Sequence, residues 1–253
     1  MENNNLMQHV FPPRDAANPD ALDFHITALR DGARVLLIDV AYQLQAAQLR
    51  EQLRAALLHP AVIVLSHYHP DHFKGTAAFP DCELWASPHY RHNRALYQQR
   101  RPEGHFPQPT RLLVNGERRQ WGDFTLRFHH TPGHSRCSLT TLINDEIAHV
   151  GDLLMRDRQG RQTLPRVEDF PQLLASLTWL RSLDLRGMLF AHGQPLASPE
   201  EIVQYLDDAL YYTRRVWESR GALPLSACLP RPEEHYGRLE LHAHNLAQLE
   251  AAP

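Results

Sequence analysis

Four residues able to bind a metal crowd into six positions, His67, His69, Asp71 and His72, within the run LSHYHPDHFKG at 65–75. Imidazole nitrogen and carboxylate oxygen together suit Zn²⁺, and also Fe or Mn. The run follows AVIVLS (61–66), a short β-branched stretch that reads as a buried strand. Alternate residues of an extended chain face the same way, so His67 and His69 can meet one ion. Pro70 interrupts regular pairing and lets the chain turn. Asp71 and His72 can then face a neighbouring ion. A lone HxH pair reads as an ordinary polar loop, whereas HxHxDH directly after a buried strand reads as a metal site.

Three later positions repeat the pattern of a strand that ends in a metal-binding residue. His134 follows the turn-forming Pro132-Gly133 in FHHTPGHS, Asp152 ends IAHVGD, and His192 follows MLFA. Side chains at strand ends are held by a rigid sheet yet stay open to a cleft. The chain has 17 histidines, so position rather than number must separate ligands from surface residues. His129 and His130 read as packing or surface groups, and His149 as structural. His89, His92 and His105 read as part of a solvated loop, and Cys137 as a small buried thiol. Arg91, Arg94, Arg100 and Arg101 form a charged face that could attract an anion. Tyr68, Lys74, Tyr211 and Tyr212 are minor candidates for substrate contact.

The elements that must position these residues are legible in outline. Residues 1–20 are polar and proline-containing and read as an irregular lead-in. DFHITALRDGARVLLID (23–39) reads as a hairpin around Asp31-Gly32. Residues 42–58 are good helix formers, with Leu44, Leu49, Leu53, Ala56 and Leu57 roughly on one side and Pro60 as a limit. Strands are expected at 83–87, 111–114, 124–130, 138–143, 147–151 and 187–191. Turns are expected at Asn115-Gly116 and 144–146. Residues 88–110 suggest a short helix and an exposed loop. Helices are expected at 171–183, from Ser198 to about Arg220, and at about 233–250. Ser198 reads as an N-cap, Pro199 as the first helical residue, Glu201 as the capping-box partner and Gly221 as the stop. Clusters of strands with helices between and after them imply an α+β chain, one domain of 1–253 with a helical C-terminal extension from about 198.

Bulk properties narrow the function classes. The 253 residues are 43% apolar and 22% charged, with a net charge of −3. This fits a globular protein and marks neither a nucleic-acid binder nor a membrane-surface binder. Three irregularly spaced cysteines argue against a disulfide framework and fit a reducing compartment. The start MENNNLMQHVFPPRD lacks the form of a signal peptide, and no run is long enough to span a bilayer. A cytoplasmic protein acting on a small molecule is expected, without nucleic-acid or membrane partners. Nothing in the sequence specifies an oligomeric state.

Taken in order, the motifs resemble those of the metallo-β-lactamase superfamily of metallohydrolases. The LLID run ending at Asp39 resembles the family's first motif and HYHPDH its second. TPGH resembles the third, the GD at Asp152 the fourth and the HG at His192 the fifth. The resemblance implies a four-layer αββα sandwich with a dinuclear site between the sheet edges. It implies that His67, His69 and His134 hold one ion and that Asp71, His72 and His192 hold the other. Asp152 would bridge the two, and Asp39 would orient a ligand from behind. Two divalent ions, zinc foremost, would lower the pKa of a bridging water and make hydroxide available near neutral pH. Asp71 is the candidate catalytic group that steers that water or accepts its proton. Val40-Ala41 stands where many relatives carry Thr-Gly or a similar small pair.

The family hosts many reactions, so the fold alone does not choose one. The β-lactamase branches lack the bridging aspartate that Asp152 resembles. The nucleic-acid-processing branches carry long inserts or an added domain, whereas this spacing is compact. The remaining resemblance is to glyoxalase II, acyl-homoserine lactonases and small phosphodiesterases. Hydrolysis of a small ester, thioester or lactone is the first expectation and of a phosphodiester the second. Persulfide dioxygenases, which share HxHxDH and use one iron oxidatively, are the rival from another class. A binding protein without activity on this fold is disfavoured, because no ligand is missing.

Overall fold

A computed structural model describes residues 5–13, 15, 17, 18 and 21–251. The chain opens on β1 (Leu6–Phe11), β2 (Phe24–Asp31) and β3 (Arg34–Ile38). Helix α1 (Gln43–Ala55) leads to β4 (His59–Val64), and a single turn α2 (Pro70–Phe73) runs into a 3-10 turn before β5 (Glu83–Ala86). Then come α3 (Tyr90–Arg100), β6 (Arg111–Leu112), β7 (Arg118–Trp121), β8 (Phe124–His130), β9 (Leu139–Ile143), β10 (Ile147–His149) and β11 (Gln162–Thr163). The chain ends with α4 (Phe170–Arg181), β12 (Gly187–Leu189), α5 (Pro199–Glu218), α6 (Leu225–Cys228), β13 (Tyr236–Gly237) and α7 (Leu241–Ala251).

The first sheet has six strands in the order β1-β2-β3-β4-β5-β6, antiparallel through β3 and parallel from β3 to β6. The second has five, β12-β10-β9-β8-β7, with only β12 and β10 parallel. Three apolar cores follow from strand alternation. Leu36, Ile38, Val62 and Val64 point inward to meet Leu126, Phe128, Leu139 and Ile143 of the facing sheet. Their neighbours Val35, Leu37 and Ile63 point outward under Leu49 and Leu53 of α1. On the other side Leu142, Ala148, Met188 and Phe190 pack under α4 and α5. The layers are therefore helix, sheet, sheet, helix, the αββα sandwich that the resemblance implied.

Helix α5 shows how local sequence fits this plan. Ile202, Tyr205, Leu206, Ala209, Tyr212 and Val216 recur at helical spacing and are all buried. Ser198 Oγ accepts from the Glu201 backbone N–H at 3.3 Å, the N-cap bond expected. Its hydroxyl donates to the Glu200 carboxylate at 2.7 Å, so the carboxylate it meets is that of Glu200.

Some expectations need correction. Residues 6–11, placed in an irregular lead-in, form strand β1 on the edge of the first sheet. Its burial is graded rather than alternating, so period two gives no signal. Arg118–Trp121 is an edge strand that the sequence reading missed, because its residues are mostly charged or polar and half-exposed, as edge strands often are. The proposed helix at 233–250 begins only at Leu241. The residues before it make a 3-10 turn and β13, which pairs with β11.

A candidate two-metal centre

Every strand that feeds the site does so from its C-terminal end: β3 gives Asp39, β4 gives His67 and His69, β8 gives His134, β10 gives Asp152 and β12 gives His192. Two backbone bonds tie the sheets together here, Leu139 N–H to Ser66 O at 2.7 Å and His25 N–H to Ala191 O at 2.8 Å. Pro70 occupies the first turn of α2, where its missing N–H costs nothing. The turn swings Asp71 and His72 back toward the strand ends. Gly151 has φ +56°, and a Cβ there would lie 2.6 Å from Ser66 Oγ. Only glycine lets Asp152 approach β4 so closely.

Two sets of donors result. His67, His69, His134 and Asp152 each present one ligand atom, all within 4.8 Å of one another, and so do Asp71, His72, Asp152 and His192. In the first set His67 Nε2 lies 2.8 Å from His69 Nδ1, which lies 3.2 Å from His134 Nε2. In the second, His72 Nε2 is 3.3 Å from Asp152 Oδ2 and 3.8 Å from Asp71 Oδ1. His192 Nε2 is 3.5 Å from both Asp71 Oδ2 and Asp152 Oδ1. Asp152 belongs to both sets.

The partners on the far sides of the rings fix which nitrogen carries a proton. His134 Nδ1 donates to Arg166 O at 3.2 Å and His192 Nδ1 to Asp23 O at 2.8 Å. A carbonyl only accepts, so both Nε2 atoms turn lone pairs inward. Asp39 does the same for two further ligands. Its Oδ2 accepts from His72 Nδ1 at 2.9 Å and from Ser66 Oγ at 2.7 Å. Ser66 Oγ in turn accepts from His67 Nδ1 at 3.1 Å. Asp39 itself has φ +59° and is held by the Ser66 backbone N–H, 2.8 Å from Oδ1.

This donor set fits a cation. His72 Nε2 and Asp152 Oδ1 are buried and have no hydrogen-bond partner, although buried polar atoms nearly always have one. With Zn–N bonds near 2.1 Å, a tetrahedron has edges of about 3.4 Å, the middle of the spacings given above. Electrostatics agree. Burial and the adjoining His72 and His69 push His67 well down, and burial takes His134 to about 4. Burial opposes a charge on His72, but Asp152, Asp39 and Asp71 outweigh it and raise that ring well above the usual range. Burial likewise opposes a charge on Asp152, yet His72 and His192 hold the carboxylate well below its usual range. Bound cations would take the place of the protons that these carboxylates otherwise attract.

All seven ligand candidates converge, and Asp39 stands behind them. The other sequence candidates mostly do not reach the centre. Tyr68 is buried, stacks on Phe73 and donates to Pro107 O at 2.7 Å. His129 packs on Trp179, and His130 stacks on His89. Tyr212 donates into the His242 and Asn245 cluster or accepts from it, away from the cleft. Cys137 Sγ is buried and accepts from the Tyr68 backbone N–H. A cleft of about 440 Å³ lies over the donors, with Tyr97, Arg166 and Arg238 in its wall. Glu168, whose Oε1 is 3.8 Å from His69 Nε2, was also missed. It lies between two unrelated elements, and no local pattern marks it.

The family model of the metallo-beta-lactamase superfamily matches residues 25–192. The chain belongs to that superfamily and has its fold. Among solved structures it resembles a metallo-beta-lactamase family protein from Thermus thermophilus, at 20% identity and a TM-score of 0.70 over 98% of this chain and 92% of that one. It also resembles an archaeal superfamily protein from Sulfolobus tokodaii, at 17% identity and a TM-score of 0.61 over 97% and 98%. A flavo di-iron protein from Thermotoga maritima matches at 14% identity with a TM-score of 0.58, over 81% of this chain and 63% of that one. No curated protein sequence matches significantly. No helix among the described residues is long and apolar enough to cross a membrane.

Proposed function

We propose that the chain is a dinuclear metal-dependent hydrolase of a small ester, thioester or lactone, nearest in kind to glyoxalase II and the lactonases and working in the cytoplasm. The observation that carries this reading is the pair of donor sets sharing Asp152 beneath an open cleft. Zinc is the foremost metal, with iron or manganese as the other candidates for this nitrogen and oxygen set. Divalent ions held there would supply Lewis acidity and a lowered pKa for water.

The chain's own residues do the rest. His67, His69 and His134 would hold one ion, Asp71, His72 and His192 the other, and Asp152 both. Asp71 is the more open of the two carboxylates, with its side chain 27% exposed against 7% for Asp152. It lines the cleft and is the group placed to accept a hydrogen bond or a proton from attacking water. Tyr97, a phenol pushed up to about 12 by burial and by Glu168 and Asp71, stays neutral and can donate a hydrogen bond at the cleft wall. The net charge of −3 and the cleft's size suit a small molecule rather than nucleic acid.

The test is a panel of ester, lactone, thioester and phosphodiester substrates assayed with the purified protein alongside its metal content. Cleavage of an acyl substrate, lost with the chelated metal and in His69→Ala, is expected. One iron per chain with thiol-dependent oxygen uptake would overturn the reading in favour of a persulfide dioxygenase.

A further inference from the structure

A second chamber of about 660 Å³ adjoins the cleft, and Phe24, Tyr42, Pro70 and Tyr97 belong to the walls of both. Its interior is aromatic, with Phe73 and Phe106 joining the shared Phe24, Tyr42 and Tyr97. Its rim carries Lys74, Arg100 and Arg101, against one acidic residue among the described lining residues, Asp15. Lys74 follows α2 directly, and the two arginines end α3, so separate parts of the chain bring these cations together. Among the described residues, no carboxylate lies within ion-pair distance of any of the three. The Lys74 ammonium instead sits 5.8 Å over the Tyr42 ring. Several other arginines do meet carboxylates: Arg118 and Arg127 with Asp145, Arg181 with Asp207.

Position at a helix end accounts for one of these charges. A cation in the last turn of α3 complements the helix dipole, and Arg100 is placed there. It does not account for three cations, none with a carboxylate partner among the described residues, around an aromatic trough that shares walls with the cleft over the donors. A pocket with apolar walls and a few convergent charges is the form that binds an amphiphilic ligand of opposite charge, and arginine is suited to carboxylate and phosphate oxygens.

We propose that the substrate carries an anionic group remote from the bond that is cut, seated on Lys74, Arg100 and Arg101, with its apolar body along Tyr42, Phe73 and Phe106. The bond that is cut rests on the hydrolase reading above; the anion rests on the chamber alone. A carboxylate, sulfonate or phosphate would satisfy the rim, on either the acyl or the leaving-group side.

Two dyes with one aromatic body test the chamber without turnover. 8-Anilinonaphthalene-1-sulfonate carries an anion that N-phenyl-1-naphthylamine lacks. The native protein is expected to bind the sulfonate at least tenfold more tightly, as read by fluorescence titration. The K74Q/R100Q/R101Q variant is expected to lose that preference. Equal affinities in the native protein, or a preference that survives the triple change, would overturn the proposal. N-acetylcysteamine thioesters of adipic and hexanoic acid, and hexanoyl thioesters of 3-mercaptopropionate, then locate the anion. A lower KM for either charged substrate, lost in the variant, supports the proposal and tells the acyl side from the thiol side. A KM equal to that of the neutral thioester in both charged cases contradicts it. Failure to cleave any acyl substrate would instead count against the hydrolase reading and leave the dye result standing.

Discussion

Asp39 makes contact with none of the cleft, yet three hydrogen bonds converge on its carboxylate and set two imidazoles. An asparagine at 39 would turn a donor toward Ser66 or His72. Bonds to a charged partner contribute about 1.5–3 kcal/mol, and loss of such support commonly weakens metal binding by about 10–100-fold. Asp39→Asn should therefore lower metal affinity by that factor in a chelator competition while the fold persists. Unchanged affinity would show that Asp39 does not support the ligands. His149 lies deeper, with both ring nitrogens unpartnered, and burial pushes it down to about 4. Between about pH 6.5 and pH 4 the unfolded chain takes up this proton and the folded chain does not. Stability from this group is thus complete above pH 6.5 and lost as the pH falls toward 4, by up to about 3 kcal/mol. Denaturation of the metal-loaded protein at pH 7 and pH 4.5 should show a smaller difference in His149→Leu than in the native chain. An equal difference would show that another group carries the acid sensitivity.

At the scale of elements, the turns decide the geometry. Gly151→Ala would force a side chain into the left-handed region and against Ser66. A cost of about 2 kcal/mol is expected in urea unfolding, with weaker metal binding through displaced Ser66. A variant as stable as the native chain, with the same affinity, would contradict this role for the turn. Ala41 gives a related finding. Its φ is +52°, a conformation that glycine adopts without cost, so the Thr-Gly pair that the resemblance implies here would have a backbone cause. The sequence made the loops that carry the donor residues legible because each sits at a strand end and uses ligand types at short spacing. Strand β1 and edge strand β7 were not legible, since β1 does not alternate in burial and β7, though it alternates, is polar or charged at three of its four positions. Residues 233–240 were read as helix from composition, but pairing of β13 with β11 overrides that propensity. Glu168, Arg166 and Tyr97 were missed for a different reason. Tertiary packing brings Arg166 and Tyr97 to the cleft wall and Glu168 to within 3.8 Å of His69, and their neighbours in sequence carry no trace of it.

For the whole molecule, the sandwich explains why seven dispersed residues can act as one group. Five strand ends from two sheets meet at one edge, and the core between them, with Phe128 and Leu126 fully buried against Leu36 and Val64, holds the edges in register. Asp152 is the piece common to both donor sets, so the claim that this is a two-ion centre turns on that residue. The sharpest test is elemental analysis of metal-reconstituted native protein and of Asp152→Ala, with folding confirmed by circular dichroism. Two divalent ions per native chain, and one or none in the variant, are expected. One ion per native chain, or two retained without Asp152, would contradict a two-ion centre bridged by this carboxylate.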